Sequence, residues 1–218
     1  GVTAALRWLT GPDDPVVVMP PVYPPFFTTV RTLAQRPLVE VPLLVDPAGR
    51  AGPDLDGLAA AFRTGARTLL LCHPLNPSGT VLRREELAAL EGLCAEHDVL
   101  VLSDEVHAPL AMPGTTFVPW PTLAGSARSI VLTSASKAWN VPGLKCAVAV
   151  AGSPQLAREL AARVPMEARF GTGLLGVVAG TAAFTAGEPW LAAAVAAIVA
   201  NRRLLVELLD EHLPGARC

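Results

Sequence analysis

A series of short, mostly apolar runs constrains this chain more than any other feature of it. Four stand out, at 16–19, 68–72, 99–102 and 129–132, and two weaker ones lie at 38–44 and 147–150. A strand with one wet face alternates apolar and polar residues, whereas a strand covered on both faces reads as an unbroken apolar run. Helical patterns separate the runs. Asp54 caps a segment reaching Phe62, with Pro53 just ahead of it. Residues 84–97 place Leu87, Leu90, Leu93 and Cys94 on one helical face. Helices then dominate at 154–164, 173–186 and 189–212. The expected architecture is α/β: a mostly parallel sheet flanked by helices, three layers in the order α/β/α. Ligands of such sheets bind beyond the carboxyl ends of the strands.

Composition narrows the class. Hydrophobic residues make up 51% and charged residues 17%, which describes a core-rich globular chain. The net charge of −2 with no basic block excludes a nucleic-acid partner. Cys72, Cys94, Cys146 and Cys218 form no C-x-x-C pair and no metal-ligand spacing, so no metal is expected. The first three sit in apolar contexts and read as reduced core residues of a cytoplasmic protein. Residues 171–187 carry no charge and are borderline in length for a bilayer span. Their Gly, Ala and Thr content, with Glu188 and Pro189 directly after, fits a buried or subunit-interface helix better, so no membrane is expected. Residues 2–9 read as an amphipathic helix without an N-cap. The chain is expected to be incomplete at both ends.

The residues at the strand ends carry the chemistry. Of seventeen Lys and Arg residues, only Lys137 and Lys145 are lysine, and both lie in one short stretch. Arginine cannot lose its proton and so cannot act as a nucleophilic amine; lysine can. Lys137 follows the run at 129–132, with Ser134 and Ser136 beside it as hydroxyls able to cradle a phosphate. Asp104 stands at the end of the run at 99–102. There it either caps the next turn or, partly desolvated, needs a cationic or donor partner. Asn76 is presented between two prolines in the loop after the run at 68–72, in a turn that Gly79 helps to fix. Tyr23, the only tyrosine, sits in a proline-rich loop after the run at 16–19. An amine, a carboxylate, hydroxyls, an amide and an aromatic plate at one sheet edge form the set that a pyridoxal phosphate site requires.

In combination, Asn76-Pro77-x-Gly79, Ser103-Asp104-Glu105 and Ser134-x-Ser136-Lys137 resemble the fold-type I pyridoxal-phosphate enzymes of the aminotransferase class I/II family. Within that family the wording is most similar to the cystathionine β-lyase-like C–S lyase branch. Pro21-x-Tyr23-x-x-Phe26, Ser103 to His107, Thr133 to Asn140, and Ala183-Phe184-Thr185-x-Gly187-Glu188-x-Trp190-Leu191 carry that likeness. The resemblance implies that Lys137 is the Schiff-base lysine and Asp104 the partner of the pyridine nitrogen. It implies that Asn76 meets the phenolic oxygen, Tyr23 stacks on the ring, and Ser134 and Ser136 belong to the phosphate site. His107 stands where many aminotransferases have tyrosine and the lyase branch often has histidine. Lys145 stands where many aminotransferases have a phosphate-binding arginine. The resemblance further implies a homodimer acting on a small amino-acid substrate. It implies a cofactor-binding large domain over 1–188, and over 189–218 a helix leading toward a small domain absent from the chain. The arginine that grips the substrate carboxylate would belong to that absent part. The expected reaction is C–S β-elimination from cystathionine- or cysteine-type substrates. The alternatives are an aminotransferase and a non-catalytic binding or dimerisation domain.

Overall fold

A computed structural model describes residues 1–213, 215 and 216, with only the backbone of Arg169 and Phe170 considered. Pro214 and Cys218 lie outside the described residues.

The main sheet has six strands: β1 (Val16–Val18), β2 (Leu38–Glu40), β5 (Thr68–Cys72), β6 (Leu100–Asp104), β7 (Ser129–Thr133) and β8 (Val148–Ala151). Their order is β2-β1-β5-β6-β7-β8. All neighbours run parallel except β7 and β8, which pair antiparallel with Thr133 opposite Val148. Cys72 is level with Asp104, and Asp104 with Leu132, so the ends of β5, β6 and β7 form one flush edge. Because β8 is antiparallel, the segment entering it arrives at that same edge, and this brings Lys145 there.

The pleat sorts the apolar runs onto two faces. Val17, Leu69, Leu71, Val101 and Val131 join one core, closed by Leu58 and Phe62 of α3 (Leu55–Arg63) and Leu87 and Leu90 of α4 (Arg84–Glu96). Val16, Val18, Leu70, Leu102, Ile130 and Leu132 join the other. It is closed by Leu6 of α1 (Val2–Leu9), Phe26 of α2 (Pro25–Thr28), and Leu156 of α6 (Pro154–Arg163). The three-layer α/β/α expectation holds. Asp54 caps α3 as expected, its carboxylate accepting the Gly57 N–H at 3.0 Å.

Two expectations are corrected. The strand at 38–44 stops at Glu40: Val41 and Leu43 still donate to the Val18 and Pro20 carbonyls, but Pro20 on the facing chain has no N–H to donate back. Leu44–Val45 (β3) instead pairs antiparallel with Ala51–Gly52 (β4) in a small separate hairpin. Cys146 is not a core residue: it is only partly buried and lines a cavity, whereas Cys72 and Cys94 are buried. Burial pushes the thiols of Cys72 and Cys94 up to about 12, so neither is reactive near neutrality. The uncharged segment forms α8 (Leu174–Ala186), too short for a bilayer. Among the described residues no helix is long and apolar enough to cross a membrane. Nor is α8 buried: Leu174, Leu175 and Val178 are exposed. Between α6 and α8 lies the short α7 (Met166–Phe170), and α9 (Glu188–His212) completes the chain of helices.

Candidate active site

Lys137 sits on a single helical turn, α5 (Ala135–Ala138), directly after β7. The Ser134 hydroxyl starts that turn by accepting the Ser136 N–H at 3.1 Å, and it donates to the Cys146 carbonyl at 2.6 Å. One side chain thereby ties the lysine turn to the segment carrying Lys145. Lys145 itself adopts a left-handed backbone, φ 52°, as does Asn140, φ 54°. Non-glycine residues held in that region are sparse and cluster where a loop is over-determined by its surroundings.

Two stretches far apart in sequence meet behind this loop. The Trp139 indole N–H donates to the Gly187 carbonyl at 2.8 Å, and its ring meets Phe184 edge-on at 5.0 Å. A Cβ at Gly187 would overlap the indole, and one at Gly176 would overlap the Leu144 carbonyl, so both close approaches need glycine. The motifs around 133–140 and 183–191 are thus two halves of one support for Lys137 and Lys145.

A cavity of about 880 Å³ opens here, lined by Ser134, Ser136, Lys137, Lys145, Cys146 and the first turn of α1. Gly1, Ala4 and Ala5 contribute that turn. Lys137 and Lys145 are exposed and Ser136 half-buried. The Ser136 hydroxyl has no hydrogen-bond partner among the described residues.

Asp104 lies on the neighbouring strand end. Its Oδ1 accepts the Val106 N–H at 3.3 Å, a local turn that satisfies only part of the carboxylate. Burial pushes its pKa up; the Val106 hydrogen bond and the Lys137 charge oppose this without cancelling it. An under-satisfied, part-buried carboxylate favours a cationic N–H partner. Glu105 is different. It is buried and already served by the Trp120 N–H at 2.9 Å and the Ser103 hydroxyl at 3.0 Å, which makes it a strut for the loop that follows. His107 is half-buried, and burial together with the Lys137 charge lowers its pKa.

Asn76 and His107 line an adjoining cavity of about 670 Å³ rather than the lysine cavity. Val106 lines the first cavity and its neighbour His107 the second, so the chain just after Asp104 borders both. Tyr23 lies beyond β1, exposed, with its ring edge-on to Phe26 at 5.8 Å, and lines neither cavity. Sequence reading also passed over His73. Its imidazole is fully buried, accepts the Leu82 N–H at 3.2 Å and stacks on Phe117 with ring centroids 4.7 Å apart. It pins the loop that presents Asn76.

A protein of Mycobacterium leprae provisionally assigned as a cystathionine beta-lyase is 42% identical, across all of this chain and 54% of its own length. Cystathionine beta-lyase PatB of Bacillus subtilis is 33% identical, over 99% of this chain and 56% of its own. A PLP-bound C-S lyase from Staphylococcus hominis superposes with a TM-score of 0.89 at 28% identity, over 99% of this chain and 54% of the other. The chain therefore spans about half the length of the curated relatives it matches. The family description "Aminotransferase class I and II" matches residues 1–218, and the chain belongs to that family.

Proposed function

We infer that this chain is the cofactor-binding part of a pyridoxal-phosphate-dependent C–S β-lyase acting on cystathionine- or cysteine-type amino acids. The observation that carries the reading is the pairing of one amine, Lys137, with one under-satisfied carboxylate, Asp104, on adjacent strand ends beside a cavity that Ser136 and Lys145 also line. Likeness to cystathionine beta-lyases and to a C-S lyase supports the lyase branch.

The residues fit the cofactor. Asp104 suits a ring N–H that stays protonated. Ser136 and Lys145 suit a phosphate, and Ser134 joins them if its hydroxyl turns away from Cys146. Lys145 acts there as a point charge, without the paired N–H groups of an arginine. When bound, pyridoxal phosphate supplies an electron sink for carbanion chemistry at the substrate α-carbon. Lys137 Nζ is the anchoring amine and, once displaced by the substrate, the base that takes the α-proton. Asp104 keeps the proton on the ring nitrogen, which makes that acidity accessible. His107 and Asn76 border the side where the substrate's sulfur substituent leaves, and Asn76 is the donor proposed for the phenolic oxygen. Tyr23 is proposed to stack on the ring, which requires its exposed side chain to swing over the cofactor.

Aminotransfer shares the steps up to α-proton removal. The two outcomes are separated by supplying cystathionine with no keto acid: a lyase releases pyruvate and ammonia, whereas an aminotransferase stalls after one turnover. A homodimer and the expected domain division, with 189–218 leading toward a second domain, belong to the same proposal.

A further inference from the structure

The cavity that holds Asn76 and His107 is not explained by the cofactor alone. Its wall also carries Ser78, Thr115, Arg50 and Arg202, and no Asp or Glu lines it. The two arginines differ in state. Arg50 is spent on Glu86, with Nη1 at 2.5 Å from Oε1 and Nη2 at 2.6 Å from Oε2, and it also donates to the Val81 carbonyl at 3.2 Å. Arg202 comes from α9, which packs on the turn Ala108–Leu110 just after His107. It has no hydrogen bond or ion pair among the described residues. An exposed guanidinium with no partner among the described residues, at a cavity lined by no Asp or Glu, suits a carboxylate. Val106 lines the lysine cavity and His107 this one, so the chain just after Asp104 borders both.

We propose that Arg202 makes this cavity a subsite for a carboxylate at the far end of the substrate's sulfur substituent, so that the protein prefers S-substituted cysteines ending in an acid, cystathionine among them. This rests on the lyase reading. It assigns Arg202 a role in choosing the leaving group and no role in moving protons.

The test compares S-carboxyethyl-L-cysteine with its neutral isostere S-carbamoylethyl-L-cysteine, using the full-length, pyridoxal-phosphate-loaded protein without keto acid. The wild type should favour the acid in kcat/KM. Arg202→Gln should reduce that acid-over-amide ratio about tenfold, through KM, which corresponds to about 1.4 kcal/mol. Arg202→Lys should restore part of the ratio, and added salt should erode it. A ratio unchanged in Arg202→Gln, or an equal fall for both substrates, would overturn the subsite. If the wild type cleaves neither compound, the lyase reading fails separately. Calorimetric dissociation constants for the same two compounds then read the same ratio, and an equal affinity for acid and amide sinks the subsite.

Discussion

His73 is the residue whose behaviour follows most directly from its surroundings. It is fully buried, its Nε2 accepts from the Leu82 backbone, and burial lowers its pKa from 6.5 to about 4. The folded state therefore keeps it neutral while the unfolded chain protonates it below pH 6.5. Its contribution to stability is complete above that value and is lost as pH falls toward 4, to the extent of about 3 kcal/mol. Urea denaturation at neutral and acid pH should show this, and His73→Gln, whose amide oxygen can still accept from Leu82, should lose correspondingly less stability over the same interval. Asp104 is the counterpart at the site. Asp104→Asn keeps the shape and removes the charge, so kcat/KM should fall at least about a hundredfold, near 2.7 kcal/mol of transition-state stabilisation, with little change in folding. A variant with near-normal turnover would remove Asp104 from the mechanism. At this scale the sequence was readable where chemistry is rare. Two lysines, one tyrosine and an aspartate at a strand end stood out by scarcity and position. His73 did not, because an imidazole's burial and its stacking on Phe117, forty-four residues away, are products of the fold.

Among the elements, the strands were legible because burial on both faces leaves a continuous apolar run, and the structure divides each run between two cores as the pleat requires. The turn at Thr29–Ala34, a π-helical continuation of α2, was not legible. Its geometry depends on Arg36, whose guanidinium gathers the carbonyls of Ala34, Arg7 and Thr10 and the Thr10 hydroxyl. Those partners are mostly distant in sequence, so no local pattern announces the turn. The β3–β4 hairpin escaped for a similar reason, since β2 ends where it meets Pro20 on the facing chain and the pairing partner of β3 lies across a loop. The support behind Lys137 was visible as two motifs but not as one contact. Trp139→Phe keeps the packing on Phe184 and removes the hydrogen bond to Gly187, leaving that carbonyl to find another donor. A loss of about 1 kcal/mol in denaturation is expected. Gly176→Ala should cost about 1–3 kcal/mol, because its Cβ meets the Leu144 carbonyl. By displacing the turn that carries Lys145, it should also weaken pyridoxal phosphate binding in a spectrophotometric titration. Unaltered affinity would show that the turn is not part of the phosphate site.

Viewed as a whole molecule, the chain has one side that covers its apolar residues and one that exposes them. The sheet interior is closed by α1, α3, α4 and α6, while Leu174, Leu175, Val178, Val148 and much of α9 present apolar surface. Apolar faces of this extent normally meet another surface, and their position beside the Lys137 support agrees with a subunit contact that reaches the active site. Light scattering of the full-length protein should give twice the chain mass, and a Leu175→Glu variant should shift it toward the monomer. The reaction is the larger claim. With pyridoxal phosphate and cystathionine as the only additions, the full-length protein should release pyruvate and ammonia in equal amounts over many turnovers. Lys137→Ala should abolish both the turnover and the visible absorption band of the bound cofactor. Pyruvate formation that depends on an added keto acid, or that survives in Lys137→Ala, would contradict the account.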